Sequence, residues 1–176
     1  MAPVVRRLGP SDVDIFRSLR LEALAAELLA YASTVADWER LAVDEWRRRL
    51  ENPVVAVFRD GEAVAMMGLV RQSSSRMAHR ATLVMAYVRK SKRGQGYAGM
   101  LLGAVEGEAR AIGVEQLELA ASADNAAAVV FYRRMGFTEM GRVPGGFRRP
   151  DGDADEILMV KRIGGAGNAA PRDESS

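Results

Sequence analysis

The chain predicts an α/β domain, and three observations carry that prediction. Short apolar runs of strand length alternate with longer stretches whose apolar residues recur at offsets of three and four. Glycine punctuates the passages between them, at Asp60-Gly61 and again at Gly94 and Gly96. With 176 residues, 48% of them hydrophobic and none in a long apolar run, the chain is sized for one buried core and not for a membrane span.

Val4 to Arg7 reads as the first strand, and Ser11 with Asp12 caps the helix that follows. In that helix Phe16, Leu19, Ala23, Ala26 and Ala30 share one face, which predicts one buried side. The period breaks over Tyr31 to Leu41, and Val43, Trp46 and Leu50 restore it in a short second helix ending before Asn52-Pro53. Val54 to Arg59 and Ala63 to Arg71 flank Asp60-Gly61, the pattern of a tight hairpin. After a loop at Ser73 to Ser75, Met77 to Val88 is the next strand; its continuous apolar end predicts burial on both faces and a central place in the sheet. Ala98, Leu102, Val105, Ala109 and Ile112 form the stripe of a third helix, stopped by Gly113. Gln116 to Ala121 is a strand, Asn125 to Met135 the fourth helix, and Thr138 to Val143 and Glu156 to Lys161 are the final strands. From Gly164 to Ser176 the residues are small and polar, which predicts a flexible tail. The expected division is one domain over residues 1–163 and a tail over 164–176.

Arg93-Gly94-Gln95-Gly96-Tyr97-Ala98 lies between the central strand and the third helix. Two glycines let the backbone curl so that consecutive N–H groups point outward, and the helix adds its positive end. This is a cradle for a diphosphate. Gly94, Gly96 and Gly99 also satisfy the dinucleotide pattern G-x-G-x-x-G, with Glu115 or Glu118 about twenty residues on. Against that reading, Arg89 to Arg93 separates strand from glycine, and too little chain follows for further βαβ units. The NTPase phosphate loop is absent.

Asn125, Ala128 and Tyr132 fall on one face of the fourth helix, which closes on Gly136-Phe137. With Arg93-x-x-Gly96-x-Ala98 upstream, this pair of motifs resembles the GNAT superfamily of acetyl-CoA-dependent N-acyltransferases. Leu19 to Leu24 and Asp155 to Met159 are similar to flanking elements of one subgroup, so the resemblance spans roughly Val4 to Ile163. It implies an α/β (α+β) fold with a mixed, twisted central sheet of six or seven strands and about four flanking helices. It implies acetyl-CoA as co-substrate, no metal, and N-acetyl transfer to a primary amine of a small molecule or peptide by direct attack in a ternary complex. Ala86, Tyr87 and Val88 would take the pantetheine arm, and one of their N–H groups would polarise the thioester. Arg93, Gly94, Gln95, Gly96, Tyr97 and Ala98 would hold the pyrophosphate, and the run Arg89 to Arg93 is placed to meet the 3′-phosphate. Asn125 and Ala128 would complete the cofactor site. Tyr132 would be the general acid, since a phenol with pKa near ~10 is protonated at neutral pH. Homodimerisation is a further implication.

The base is the departure. Many members of the superfamily place a glutamate on the central strand, whereas Met77 to Val88 holds no acid. His79, the only histidine, is the titrating group available at that strand's start, with relayed waters or a neutral substrate as alternatives. Asp37, Trp38, Glu39, Asp44 and Glu45 would suit a cationic acceptor. Two other functions stay open: an acyl-CoA-binding module without activity, and a small dinucleotide-binding protein. Bulk properties narrow the rest. Lacking cysteine, the chain has no disulfide or thiol nucleophile, and with no signal segment a cytoplasmic setting is expected. A net charge of +2 implies no nucleic-acid partner, and nothing implies a membrane.

Overall fold

A computed structural model describes residues 1–164. Its strands are β1 (Val4–Arg7), β2 (Val54–Arg59), β3 (Glu62–Arg71), β4 (Arg80–Val88), β5 (Gln116–Ser122), β6 (Thr138–Phe147) and β7 (Ala154–Arg162). They form one seven-stranded sheet in the order β1-β2-β3-β4-β5-β7-β6. Only β4 and β5 run parallel; the other five neighbouring pairs are antiparallel. That mixture excludes the parallel dinucleotide fold. Glu118, one of the two acids that reading named, is tied to Arg80 at the sheet's centre.

Alternation along β2 shows how the sheet divides the interior. Val55 and Val57 face one core with Leu101, Leu102 and Val105, while Val54 and Ala56 face another with Phe16, Leu19 and Trp46. The first core is roofed by α4 (Tyr97–Ala111) and α5 (Ala126–Arg134), the second by α1 (Val13–Ala26) and α3 (Val43–Arg49). Asp60 and Gly61 both take positive φ, 52° and 83°, as a two-residue hairpin turn requires.

Several boundaries differ from expectation, each for a local reason. The interval Tyr31 to Leu41 contains a fifth helix, α2 (Val35–Glu39), too short to show a period but capped at Thr34, whose Oγ1 accepts from the Asp37 N–H. Helix α1 stops at Ala26, so Ala30 lies beyond it, and Val43 is exposed while Trp46 and Leu50 carry the burial of α3. Asp12 donates no cap to α1; its carboxylate accepts from Gly9 N–H and from Arg6. Strand β4 starts at Arg80 because Ser75–Met77 is a 3-10 turn. The tail expected from Gly164 onward lies, past Gly164, outside the described residues.

Candidate active site

The parallel pair β4–β5 is short. Arg80, Ala81 and Thr82 pair with Gln116, Leu117 and Glu118, and there the ladder ends. Arg80 and Glu118 clip this closed end, Nη2 to Oε2 at 2.8 Å, which holds the Glu118 carboxyl below its ordinary pKa. Beyond it β4 continues beside β3 and β5 beside β7, so the two strands diverge. Between them opens a cavity of about 460 Å³, bordered by Thr82–Ala86 on one side and Leu119–Ser122 on the other. This departs from the expected burial of β4 on both faces: Val84, Met85 and Ala86 are only half-buried because the gap lies beside them.

A bulge bends β4 where the gap widens. Val84 pairs with Gly68 and Tyr87 with Met66, so β4 carries one residue more than β3, and Met85 sits at φ 57°. A β-strand residue in that left-handed region is strained, and the bulge leaves Met85 and Ala86 without a register partner on β3. Gly68 stands opposite the bend, where a Cβ would lie 2.6 Å from Met85 Cε and 3.1 Å from Val84 Cγ2, so those two side chains would have to shift. Ala86 borders the cavity, and its carbonyl accepts from the Tyr31 hydroxyl at 2.8 Å. The Tyr87 ring turns into the α1 core, where its hydroxyl donates to Glu22 at 2.9 Å; burial and that bond push it up to about 12.

At the end of β4 the chain curls at two glycines before entering α4. Gly94 and Gly96 have φ of 76° and 81°, and Gly96 is the N-cap of the fifteen-residue α4. The N–H groups of Gly94, Gln95, Gly96, Tyr97, Ala98 and Gly99 have no acceptor among the described residues. No atom stands within 4 Å of where a Cβ would be at either glycine. Six free donors at a helix N-terminus suit a diphosphate. Arg93 does not add a free charge as expected: its Nε donates to the Val88 carbonyl at 3.0 Å and its Nη2 pairs with Glu27. Arg89 is likewise held, by Glu22 and by Glu62. Lys90 and Lys92 have no carboxylate partner among the described residues.

Helix α5 closes the other side. Asn125 is its N-cap, accepting from Ala128 N–H at 3.2 Å, and Asn125, Ala128 and Tyr132 all border the cavity. Burial pushes the Tyr132 phenol up to about 12, and its hydroxyl has no partner among the described residues. His79 is elsewhere. It is exposed at the entry end of β4, its carbonyl accepting from Glu115 and Gln116 N–H. Seven residue steps along the chain separate it from Ala86, roughly 23 Å at about 3.3 Å per residue. The acids expected to greet a cationic acceptor also stand apart: Asp37 and Glu45 accept from the Thr34 and Ala42 N–H groups, and Asp44 pairs with Arg47. The carboxylate that does border the cavity, alone among the described residues, is Glu156 of β7. Two arginines, Arg20 and Arg49, border it as well.

Known proteins place this arrangement. A sequence model of the acetyltransferase (GNAT) family matches residues 20–137. A GNAT-family acetyltransferase of Streptococcus pneumoniae superposes with a TM-score of 0.82 at 22% identity, over 93% of this chain and 100% of that one. A putative acetyltransferase of Salmonella typhimurium, solved with its cofactor acetyl-CoA, gives 0.79 at 17% identity over 97% and 100%. The ribosomal-protein-S18-alanine N-acetyltransferase of Escherichia coli gives 0.70 at 23% over 96% and 99%. A search of curated protein sequences returns no match. With the family's sequence pattern running from α1 through the end of α5, on the sheet those structures share, the chain belongs to the GNAT family of acetyltransferases and is an acyltransferase that uses acetyl-CoA.

Proposed function

We propose that the protein transfers the acetyl group of acetyl-CoA to a primary amine of a small molecule or peptide, by direct attack within a ternary complex. The observation that carries this reading is the divergence of β4 from β5, with the hydroxyl of Tyr132 unpartnered among the described residues and bordering the gap. Backbone groups of β4 at the Met85 bulge, where Met85 and Ala86 have no β3 register partner, would take the pantetheine amides, and the N–H groups of Gly94 to Gly99 the diphosphate. Lys90 and Lys92, not Arg89 or Arg93, are the cations free for a 3′-phosphate.

Transfer needs a neutral amine, a polarised carbonyl and a proton for sulfur. As the new C–N bond forms and the C–S bond breaks, Tyr132 gives its proton to the leaving thiolate. Burial suits it to this task, because a phenol near 12 stays protonated throughout the working range. Glu156, standing at the same cavity, would accept the amine's proton, directly or through water. His79 lies too far from Ala86 for that role.

The test is thiol release from acetyl-CoA across amino acids, polyamines, aminoglycosides and peptides. Thiol appearing in step with an acetylated amine is the expected result. Tight acetyl-CoA binding with no thiol release from any class would overturn the proposal.

A further inference from the structure

The described residues pair most of their arginines with carboxylates, yet Arg20, buried to 3% exposure, has no acceptor at all. Its Nε and Nη1 are sealed from solvent without a partner. Its guanidinium lies 4.7 Å from the Tyr31 ring centroid and 4.5 Å from that of Trp38. Arg49 stacks on the same Trp38 at 4.8 Å, and its only hydrogen bond is to the Glu45 carbonyl. Burial and the nearby Arg49 charge disfavour the cation, and Arg20 is pushed down to about 10, still charged at neutral pH. Cation–π contacts return less than the burial of an unpaired guanidinium costs. Two cations therefore share one cavity wall without a counter-ion.

On the acetyltransferase reading just given, we infer that the acceptor is an amine carrying a carboxylate, which Arg20 and Arg49 bind. With Nε and Nη1 sealed, Arg20 meets the cavity through Nη2 and contributes its charge, while Arg49 and Asn52 border the same cavity as further donors. The arginines come from α1 and α3, over the β1–β4 side of the gap, and Glu156 comes from β7 on the other side. This polarity orients a zwitterion. Its carboxylate lies toward the arginines and its amine toward Glu156 and the thioester. Tyr31 links the two regions, since the ring that Arg20 stacks on carries the hydroxyl bound to Ala86 O.

The experiment compares wild type, Arg20→Met and Arg49→Gln with L-leucine, L-methionine, L-phenylalanine and L-glutamate, each against its α-carboxamide, and with putrescine. Amidation makes the amine less basic, so more of it is neutral and intrinsic reactivity favours the amide. Any preference for the acid must then come from the protein. The expected wild-type kcat/KM favours the acid of at least one pair by about tenfold or more, chiefly through KM, on the scale of a charged contact. Arg20→Met should bring the ratio to about one, Arg49→Gln part of the way. Equal or better use of the amides, putrescine as the best acceptor, or an intact preference in folded Arg20→Met would overturn the inference and leave Arg20 as packing against Trp38. Should Arg20→Met not fold, Arg20→Lys replaces it, and there the preference must fall. If no amine releases thiol, the acetyltransfer reading fails by itself. Thermal shifts of wild type and Arg20→Met with the same acids and amides then read the anion site: stabilisation by acids alone, lost in the variant, sustains it, and equal or absent stabilisation overturns it.

Discussion

Tyr132 is both core and chemistry, and its substitution separates the two. The ring packs against Phe131 and Phe137, and Tyr132→Phe keeps that packing while removing only the hydroxyl. Turnover should fall by roughly 10²-fold, with the acetyl-CoA KM little changed and the melting temperature preserved. Steady-state kinetics on the folded variant checks this, and a kcat within twofold of wild type would reduce Tyr132 to packing. A second single-residue prediction concerns Asp12, whose carboxyl is held at about 2 by paired hydrogen bonds from Arg6 and one from Gly9 N–H. A depressed carboxylate stabilises fully above its unfolded pKa near ~4 and loses that contribution as pH falls through about 2. Arg6 is 43% exposed, so solvent screening limits the effect to about 1 kcal/mol. Urea titrations should show Asp12→Asn less stable by that amount at pH 7 and the difference gone near pH 2. Legibility at this scale divides by kind of evidence. Helical spacing puts Tyr132, Asn125 and Ala128 on one face, and the resemblance of that spacing to the family's motif is what marked them as site residues. Arg20 and Glu156 were not, since one is marked by a missing partner and the other by a cavity, and neither is a property of sequence. His79 was singled out for being the only histidine, which says nothing of where the strand's working end lies.

Two short elements make the site, and glycine is the structural requirement in each. At Gly96, φ of 81° puts the N-cap of α4 in a region that costs an L-residue about 1 kcal/mol. Gly96→Ala should lower stability by that amount and lower coenzyme A affinity by more than tenfold, because relief of the strained φ re-aims the N–H groups on either side of it. Calorimetric titration beside a thermal melt distinguishes these two losses. Gly68 of β3 bears on the bulge in β4 differently, by leaving room for the Met85 and Val84 side chains. Gly68→Val should cost about 1–3 kcal/mol by overpacking against Val84 and Met85 and should impair acetyl-CoA binding through the displaced bulge. Folded protein with unaltered affinity would show that the bulge does not position the donor. The cradle and the Asp60-Gly61 hairpin were legible because their residues act within a few positions of themselves. The bulge was marked only by a glycine inside a strand pattern, and the partner strand decides what such a glycine is for. Helix α2 escaped because five residues are fewer than the window over which a period can be seen.

At the scale of the molecule the sheet is two half-sheets, β1 to β4 and β5 with β7 and β6, joined by three residue pairs and the Arg80–Glu118 ion pair. Fold class and strand count were readable from alternation and turns, but the place where the halves part was not, because pairing between strands is long-range. Acetyl-CoA lying between the halves should stabilise the folded state by about 2.7 kcal/mol at a hundredfold excess over its Kd. Hydrogen exchange should slow along residues 83–88, 94–99 and 119–122, with little change in β1 or β6. Uniform slowing over the whole sheet, or none at the gap, would contradict this placement of the donor.

The unfinished β4–β5 ladder sets stability and activity against each other along one line of backbone. A zipper stopped after three teeth invites substitutions that let it run further, for instance by removing the strained turn at Met85. Each added tooth would satisfy peptide groups now left for the donor, so variants selected for heat resistance at these positions should become sturdier and catalytically dead together. Side-chain identity along the gap matters less than that the strands stay apart. Directed evolution for a new acceptor can therefore rework the walls around Tyr132 and Glu156 but must leave this seam open.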